Sequence, residues 1–274
     1  MTSDAATTLR EPPVLLSEAG DDGVLVLTLN RPRQMSSLSE ALLDQLNDAF
    51  DKASRDRSVR VVVIASQGRA FCAGHDLKEM TARRHDPDKG AAYFEHLMGK
   101  CARLMQSIVY CPKPVIAQVQ GLAMAAGCQL VATCDLAVAA ESAGFSTPGV
   151  DIGLFCSTPM VALSRTVSRK NAMEMLLTAD VIDAHRACEM GLVNRVVPDN
   201  ALADETMALA RKIASKSTKT VSIGKEAFYR QIEMDLGRAY DYTARIMVHN
   251  MLTADAEEGI NAFLEKRQPH WQDR

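Results

Sequence analysis

Short apolar runs closed by turn residues alternate, over the first half of the chain, with stretches whose apolar positions recur at helical spacing. Val24 to Leu29 is a β-rich run stopped by Asn30-Arg31-Pro32, and Leu38, Leu42, Leu46, Ala49, Phe50 and Ala53 follow with the period of a helix behind Ser39. Val59 to Ala65 is a continuous apolar run of the kind that strands show when both faces are covered, and it ends in the polar segment Ser66-Gln67-Gly68-Arg69. A turn is expected at Cys72-Ala73-Gly74-His75. The spacing then predicts a long helix over Pro87 to Tyr110, a buried strand over Pro114 to Val119, a helix of small residues over Ala123 to Thr133, and a strand over Leu136 to Ala140.

A strand-(strand)-helix unit thus recurs several times before about residue 155, which predicts an α/β architecture of stacked repeats. From Ser168 onward the pattern is helical, with Asn194 to Val197 as the β-like exception. The segments Ala201 to Ser215, Ser222 to Met234 and Ala239 to Leu252 carry helical apolar spacing with no Gly/Ser linker before them, so they should pack on the core or on a neighbouring subunit. The division expected is a flexible segment 1–13, an α/β core 14–198 and a C-terminal helical region 199–274.

Composition narrows the function. The 274 residues suffice for a sizeable core, and 47% hydrophobic with 24% charged residues at a net charge of -3 gives no bulk electrostatic reason to bind nucleic acid. The seven cysteines are scattered with no CxxC pair and no zinc-site spacing, which predicts a reduced, metal-free cytoplasmic protein. Residues 1–13 hold Asp4, Arg10 and Glu11 but no apolar signal region, and no run approaches the ~20 apolar residues that span a bilayer, so neither secretion nor membrane insertion is expected.

Two segments carry the candidate chemistry: Phe71-Cys72-Ala73-Gly74-His75-Asp76-Leu77 after one strand, and Gly121-Leu122-Ala123-Met124-Ala125-Ala126-Gly127-Cys128 after another. Small side chains let a ligand reach main-chain N–H groups, and the start of a helix supplies donors that have no partner within the helix. Two such groups can clamp one oxygen. Either cluster by itself is better read as tight packing; the two together point to a site.

With these segments the chain resembles the crotonase (enoyl-CoA hydratase/isomerase) superfamily from Val24 to about Trp271. That resemblance implies a spiral of repeated ββα units with a C-terminal helical region involved in trimerisation, as a trimer or dimer of trimers. It also implies an acyl-CoA thioester as the partner, with no cofactor beyond the coenzyme A of the substrate, and lyase chemistry in fatty acid metabolism. Leu29-Asn30-Arg31-Pro32 followed by Ser36-Ser37-Leu38 is similar to the family's CoA-contacting loop, where Asn-Ala-Leu usually stands at the last three positions; Arg31, Ser36 and Leu38 are candidate substrate contacts. Ala73-Gly74-His75-Asp76-Leu77 resembles the first oxyanion segment with the His75 N–H as donor, and Ala125-Ala126-Gly127 the second with the Ala126 N–H. Ala73, Asp76 and Leu77 join the candidate contacts.

The family's hydratases place two glutamates where this chain has Gln129 and Gly149. An amide can hold a water but cannot exchange its proton near neutral pH, and glycine offers no side chain. Gln129 is therefore expected to face the pocket, the alternative being a polar residue on the helix surface. His75, in a Gly-His-Asp wording that resembles methylmalonyl-CoA decarboxylases of the superfamily, is the candidate replacement, against a structural histidine. Asp151, on the same face as position 149 if the segment is extended, and Cys156, where those decarboxylases have a tyrosine, are the others. Lys78 and Lys266, the latter with Phe263 in Phe263-Leu264-Glu265-Lys266-Arg267, are candidates for a CoA phosphate, the alternative being solvated helix charges. Three functions follow as expectations: nominal enoyl-CoA hydratase built on enolate stabilisation, a decarboxylase-like enzyme using His75, or a non-catalytic acyl-CoA-binding protein.

Overall fold

The computed structural model describes residues 12–273; most of the segment expected to be flexible, residues 1–11, lies outside them. β1 (Leu15–Ala19) pairs antiparallel with β2 (Val24–Leu29), and α1 (Glu40–Arg55) follows, its first turn capped by the Ser39 hydroxyl accepting from the Leu42 N–H. α1 buries Leu42, Leu43, Leu46, Phe50 and Ala53 along one face, the set its spacing predicts. β3 (Val61–Ser66) and β4 (Ala70–Cys72) lead through α2 (Leu77–Ala82) to α3 (Ala91–Tyr110). α3 starts later than Pro87 because Gly90, at φ 86°, turns the chain, and the Asp88 carboxylate takes the Gly90 and Ala92 N–H groups.

β5 (Val115–Val119) and β6 (Leu122–Met124) precede α4 (Ala126–Thr133); β7 (Leu136–Ala140) and β8 (Gly144–Ser146) precede α5 (Pro159–Thr166) and α6 (Arg169–Thr178). The helix expected from Ala123 is in fact a strand and then a helix, because Ala123 is fully buried between Cys72 and Phe145 in a sheet before the chain turns at Ala125. β9 (Ile182–Asp183), α7 (Ala184–Glu189) and β10 (Arg195–Val197) complete the core, so the stretch after Ser168 holds a second short strand that the helical pattern concealed.

Among the described residues the strands form two sheets. One runs β1-β2-β3-β5-β7-β10, parallel but for β1, and the other runs β4-β6-β8-β9. The pairs β3-β4, β5-β6 and β7-β8 each send their first strand to the large sheet and their second to the small one, which is the repeated ββα spiral. The large sheet is covered on both faces. Val62, Ile64, Val115, Ala117 and Val119 face the cluster with α1 and α3, while Val61, Val63, Ile116, Val138 and Ala140 face Leu202, Ala210 and Ala214 of α8 (Leu202–Ala214). That explains the unbroken apolar runs. α8, although beyond residue 198, thus closes the core rather than hanging from it.

α9 (Thr218–Gln231), α10 (Leu236–Met251) and α11 (Ala254–Leu264) form an arm. Among the described residues no helix is long and apolar enough to cross a membrane. The arm buries little apolar surface of its own: Ala227 is the buried side chain of α9, and α10 has none. A buried charge pair fastens it instead. Lys225 Nζ donates to Asp135 Oδ2 at 2.6 Å and to the Ile108 and Lys113 carbonyls at 3.0 Å each, while the Tyr229 hydroxyl donates to Asp135 Oδ1. Replacing Lys225 by Met leaves the Asp135 charge and two carbonyls behind, and removing one member of a buried pair costs about 3 kcal/mol or more. Denaturant unfolding of Lys225→Met checks this; a loss below about 1 kcal/mol would mean that apolar contacts hold the arm.

Candidate active site

The first turn follows β4. Gly74 sits at φ +92°, a conformation open to glycine, and a Cβ there would lie 3.0 Å from the Ala125 methyl, 3.2 Å from the Met124 carbonyl oxygen and 3.4 Å from the Ala126 nitrogen. The second turn precedes α4: Ala125 is held at φ 49°, ψ -117° while its N–H donates to the Ser146 carbonyl at 2.9 Å. Gly127, one residue into α4, faces the Cys72 carbonyl so closely that a Cβ would meet its oxygen at 2.1 Å. Two glycines therefore bring the turns together backbone against backbone. The His75 and Ala126 N–H groups have no acceptor among the described residues.

Residues 31 to 38 frame the first turn. The Ala73 N–H donates to the Met35 carbonyl at 3.0 Å, the Leu38 N–H to the Gly74 carbonyl at 2.8 Å, and the Asp76 N–H to the Leu38 carbonyl at 3.2 Å. Met35 and Ser36 both take positive φ, 48° and 50°, which bends the loop back on itself. This corrects the expected roles of four residues. Ser36 is fully buried with its hydroxyl 2.7 Å from that of Ser66, and the Leu38 side chain is fully buried in the core. Arg31 Nη2 donates to Asp76 Oδ2 at 2.8 Å, so the two charges are spent on each other. Asp76 also caps α2, accepting from the Lys78 and Glu79 N–H groups, and the Arg31 guanidinium helps hold its carboxyl below the usual range against the opposing effect of burial.

Gln129 is 4% exposed and its Oε1 is buried without a partner, so it is not the surface polar residue of the alternative reading. His75 has both ring nitrogens buried and unpartnered; burial pushes the imidazole down to about 4, against a smaller opposing pull from the Leu38 backbone. The ring is neutral at pH 7. Leaving such groups unpaired costs about 1–3 kcal/mol each, part of which a polar ligand reaching them would recover.

Gly149 is buried where no side chain fits: a Cβ would lie 2.8 Å from the Leu154 carbonyl oxygen and 2.9 Å from Cys156 Sγ. Burial pushes the Cys156 thiol up, so it is a neutral group filling the space beside Gly149. The extended segment that would have put Asp151 on the face of position 149 is instead a short 3-10 helix, Pro148–Ile152, and Asp151 is exposed. Its proposed replacement of the lost carboxylate is thereby withdrawn, since residues two apart share a face in strands and not in helices. Leu77 and Lys78 are exposed at the start of α2. Phe263 and Lys266 are exposed at the end of α11, which packs on α9 and α10. Within one chain they belong to the arm, not to the paired turns. Among the described residues no group of three or more His, Cys, Asp or Glu side chains is placed to hold a metal.

The contribution missed from the sequence is that of Ser37. Its carbonyl and hydroxyl accept from Arg31 Nη1 at 2.6 and 2.9 Å, and its hydroxyl donates to Asp76 Oδ2 at 3.3 Å. The signal was present: a hydroxyl stands where the resembled loop has alanine.

Known proteins share this fold. The enoyl-CoA hydratase/isomerase family model matches residues 19–274. The human mitochondrial enoyl-CoA hydratase domain-containing protein 3 is 47% identical over 250 residues, covering 91% of this chain and 81% of that protein. Its crystal structure superposes with a TM-score of 0.90 at 45% identity, over 94% of this chain and 100% of the other. An enoyl-CoA hydratase crystal structure from Mycobacterium smegmatis gives a TM-score of 0.91 at 52% identity, over 95% and 99% of the two chains. With a family model spanning nearly its whole length and two sheets wound in the same spiral, the chain belongs to the enoyl-CoA hydratase/isomerase family, within the crotonase superfamily.

Proposed function

We propose that the protein binds an acyl-CoA thioester and polarises its carbonyl between the His75 and Ala126 N–H groups, stabilising the enolate that forms when charge moves onto that oxygen. The observation that carries this reading is the pairing of the turns: two free backbone donors held side by side by Gly74 and Gly127. Donors fixed in advance act on developing charge without reorganising, and each is worth about 3–4 kcal/mol in the transition state.

Proton transfer is the weak part of the site. The Gln129 amide can hold a water but cannot exchange its proton, Gly149 has no room for a side chain, and Cys156 is a neutral thiol. Each missing acid or base costs on the order of 100- to 10,000-fold. The reading is therefore of enolate chemistry with slow hydration. A second reading, decarboxylation beside His75, is favoured by that ring's two unpartnered nitrogens. Exposed apolar side chains on the arm, among them Leu236, Tyr240, Val248, Leu252 and Phe263, support assembly with copies of itself as a trimer or dimer of trimers.

Incubation with crotonyl-CoA, followed through the conjugated enoyl absorbance, is expected to run at least about 100-fold below an ordinary hydratase, while a saturated acyl-CoA exchanges its α-proton in deuterated water. Hydration at ordinary rates would overturn the proton-transfer assignment; thioester binding without any exchange or product would mean a binding protein. A pH series tests the state of His75. Its pKa is depressed on folding, so the unfolded chain binds the extra proton first, and stability present above about 6.5 falls as pH drops toward about 4. The shift is worth on the order of 3 kcal/mol. His75→Gln is expected to flatten that part of the unfolding profile; an unchanged slope would show that His75 is not the group responsible.

A further inference from the structure

Arg31 stands at the head of a chain of peptide groups that ends on one of the proposed donors. Its Nη1 donates to the Ser37 carbonyl at 2.6 Å; the N–H of that same peptide belongs to Leu38 and donates to the Gly74 carbonyl at 2.8 Å; the N–H of that next peptide is the His75 donor. The structure holds no cis peptide among its described residues, so in each unit the C=O and N–H point in opposite directions, and the two dipoles line up head to tail. Hydrogen bonds in such a chain polarise one another, by about 10–30% per bond. The cation at the head is mostly buried, with 14% of its side chain exposed, so water screens it weakly.

We propose that Arg31 is a positioning residue that aims and polarises the His75 N–H through the Ser37–Leu38 and Gly74–His75 peptides, and so strengthens its grip on a thioester oxygen. Asp76 and the Ser37 hydroxyl complete the device. Asp76 holds the far nitrogen of the guanidinium at 2.8 Å, and the Ser37 hydroxyl meets both partners, so the fork is fixed with its other nitrogen against the Ser37 carbonyl. A guanidinium can span these sites at once; a lysine ammonium on its flexible stem cannot. Asp76 lies one residue past His75 and is bonded to the Leu38 carbonyl, which closes the loop between the head of the chain and its end.

The proposal rests on the reading of His75 N–H as a thioester donor, and carbonyl spectroscopy separates the two. The probe is an acyl-CoA labelled with carbon-13 at its thioester carbonyl, bound to the full-length protein and observed by infrared difference spectroscopy. In the unaltered protein the bound carbonyl stretch is expected to fall relative to the free thioester. Arg31→Lys and Arg31→Met are expected to lose about a third or more of that fall, with Ser37→Ala between them and the unaltered protein. α-Proton exchange should drop roughly tenfold in Arg31→Met, less than the loss of a whole donor, while the dissociation constant of the thioester moves by no more than about threefold. Arg31→Lys keeps the charge in the loop and serves where Arg31→Met does not fold. A full carbonyl shift and unchanged exchange in a folded Arg31→Lys would overturn the proposal and leave Arg31 as a loop fastener. A thioester that binds the unaltered protein with no shift at all would overturn the donor assignment itself, and the role of Arg31 with it.

Discussion

Gly127 rests on the Cys72 carbonyl with no space for a methyl group, and Gly74 meets Ala125 and Ala126 almost as closely. These contacts join the end of β4 to the start of α4, two elements that belong to successive turns of the spiral. Side-chain packing tolerates small adjustments, but a carbonyl pressed against a helix backbone does not. The separation of the two free N–H groups is consequently set by main-chain geometry. The positive φ of Ala125 fits the same picture: an alanine is kept in backbone space that suits glycine, a strain of order 1–3 kcal/mol that the surrounding contacts must offset.

Around that junction the chain has removed nearly every free charge. Arg31 and Asp76 neutralise each other, His75 is neutral through burial, Cys156 stays a thiol, and position 149 is closed to any side chain. What remains are dipoles: backbone N–H groups, an amide oxygen and imidazole nitrogens. In a weakly screened environment such dipoles stabilise developing charge well, and they move protons poorly. The family membership leaves hydration and isomerisation equally open, and the proposed reading of the site is polarisation with little acid–base help.

The two-faced sheet and the arm show a similar division of labour. Alternate residues of β3, β5 and β7 feed separate apolar clusters, so the core is fixed by burial alone. The arm is attached through Lys225, Asp135 and Tyr229 and shows much of its apolar surface outward. A satisfied buried ion pair contributes direction more than energy, since its desolvation offsets much of its attraction.

The apolar runs and helical spacings made β2, β3, β5, β7, α1 and most of α3 legible, because in them local pattern and burial coincide. The two clusters of small residues marked both turns, since close backbone approach demands small side chains wherever it occurs. The short strands β4, β6, β8 and β9 could not be read: two or three residues carry no period, and their pairing lies with strands far along the chain. The roles of Arg31, Ser36, Leu38 and Asp76 were hidden for a related reason. A polar residue in a loop near a site looks like a ligand contact until its partners are known, and here those partners are Ser37, Ser66, Gly74 and one another. Asp151 was misplaced because a strand was assumed where Pro148 begins a short helical turn. By itself the sequence determined which residues had to be small and which runs had to be buried; only the tertiary structure decided which polar groups spend their hydrogen bonds inside the protein and which are left for a ligand, because that depends on neighbours brought from distant parts of the chain.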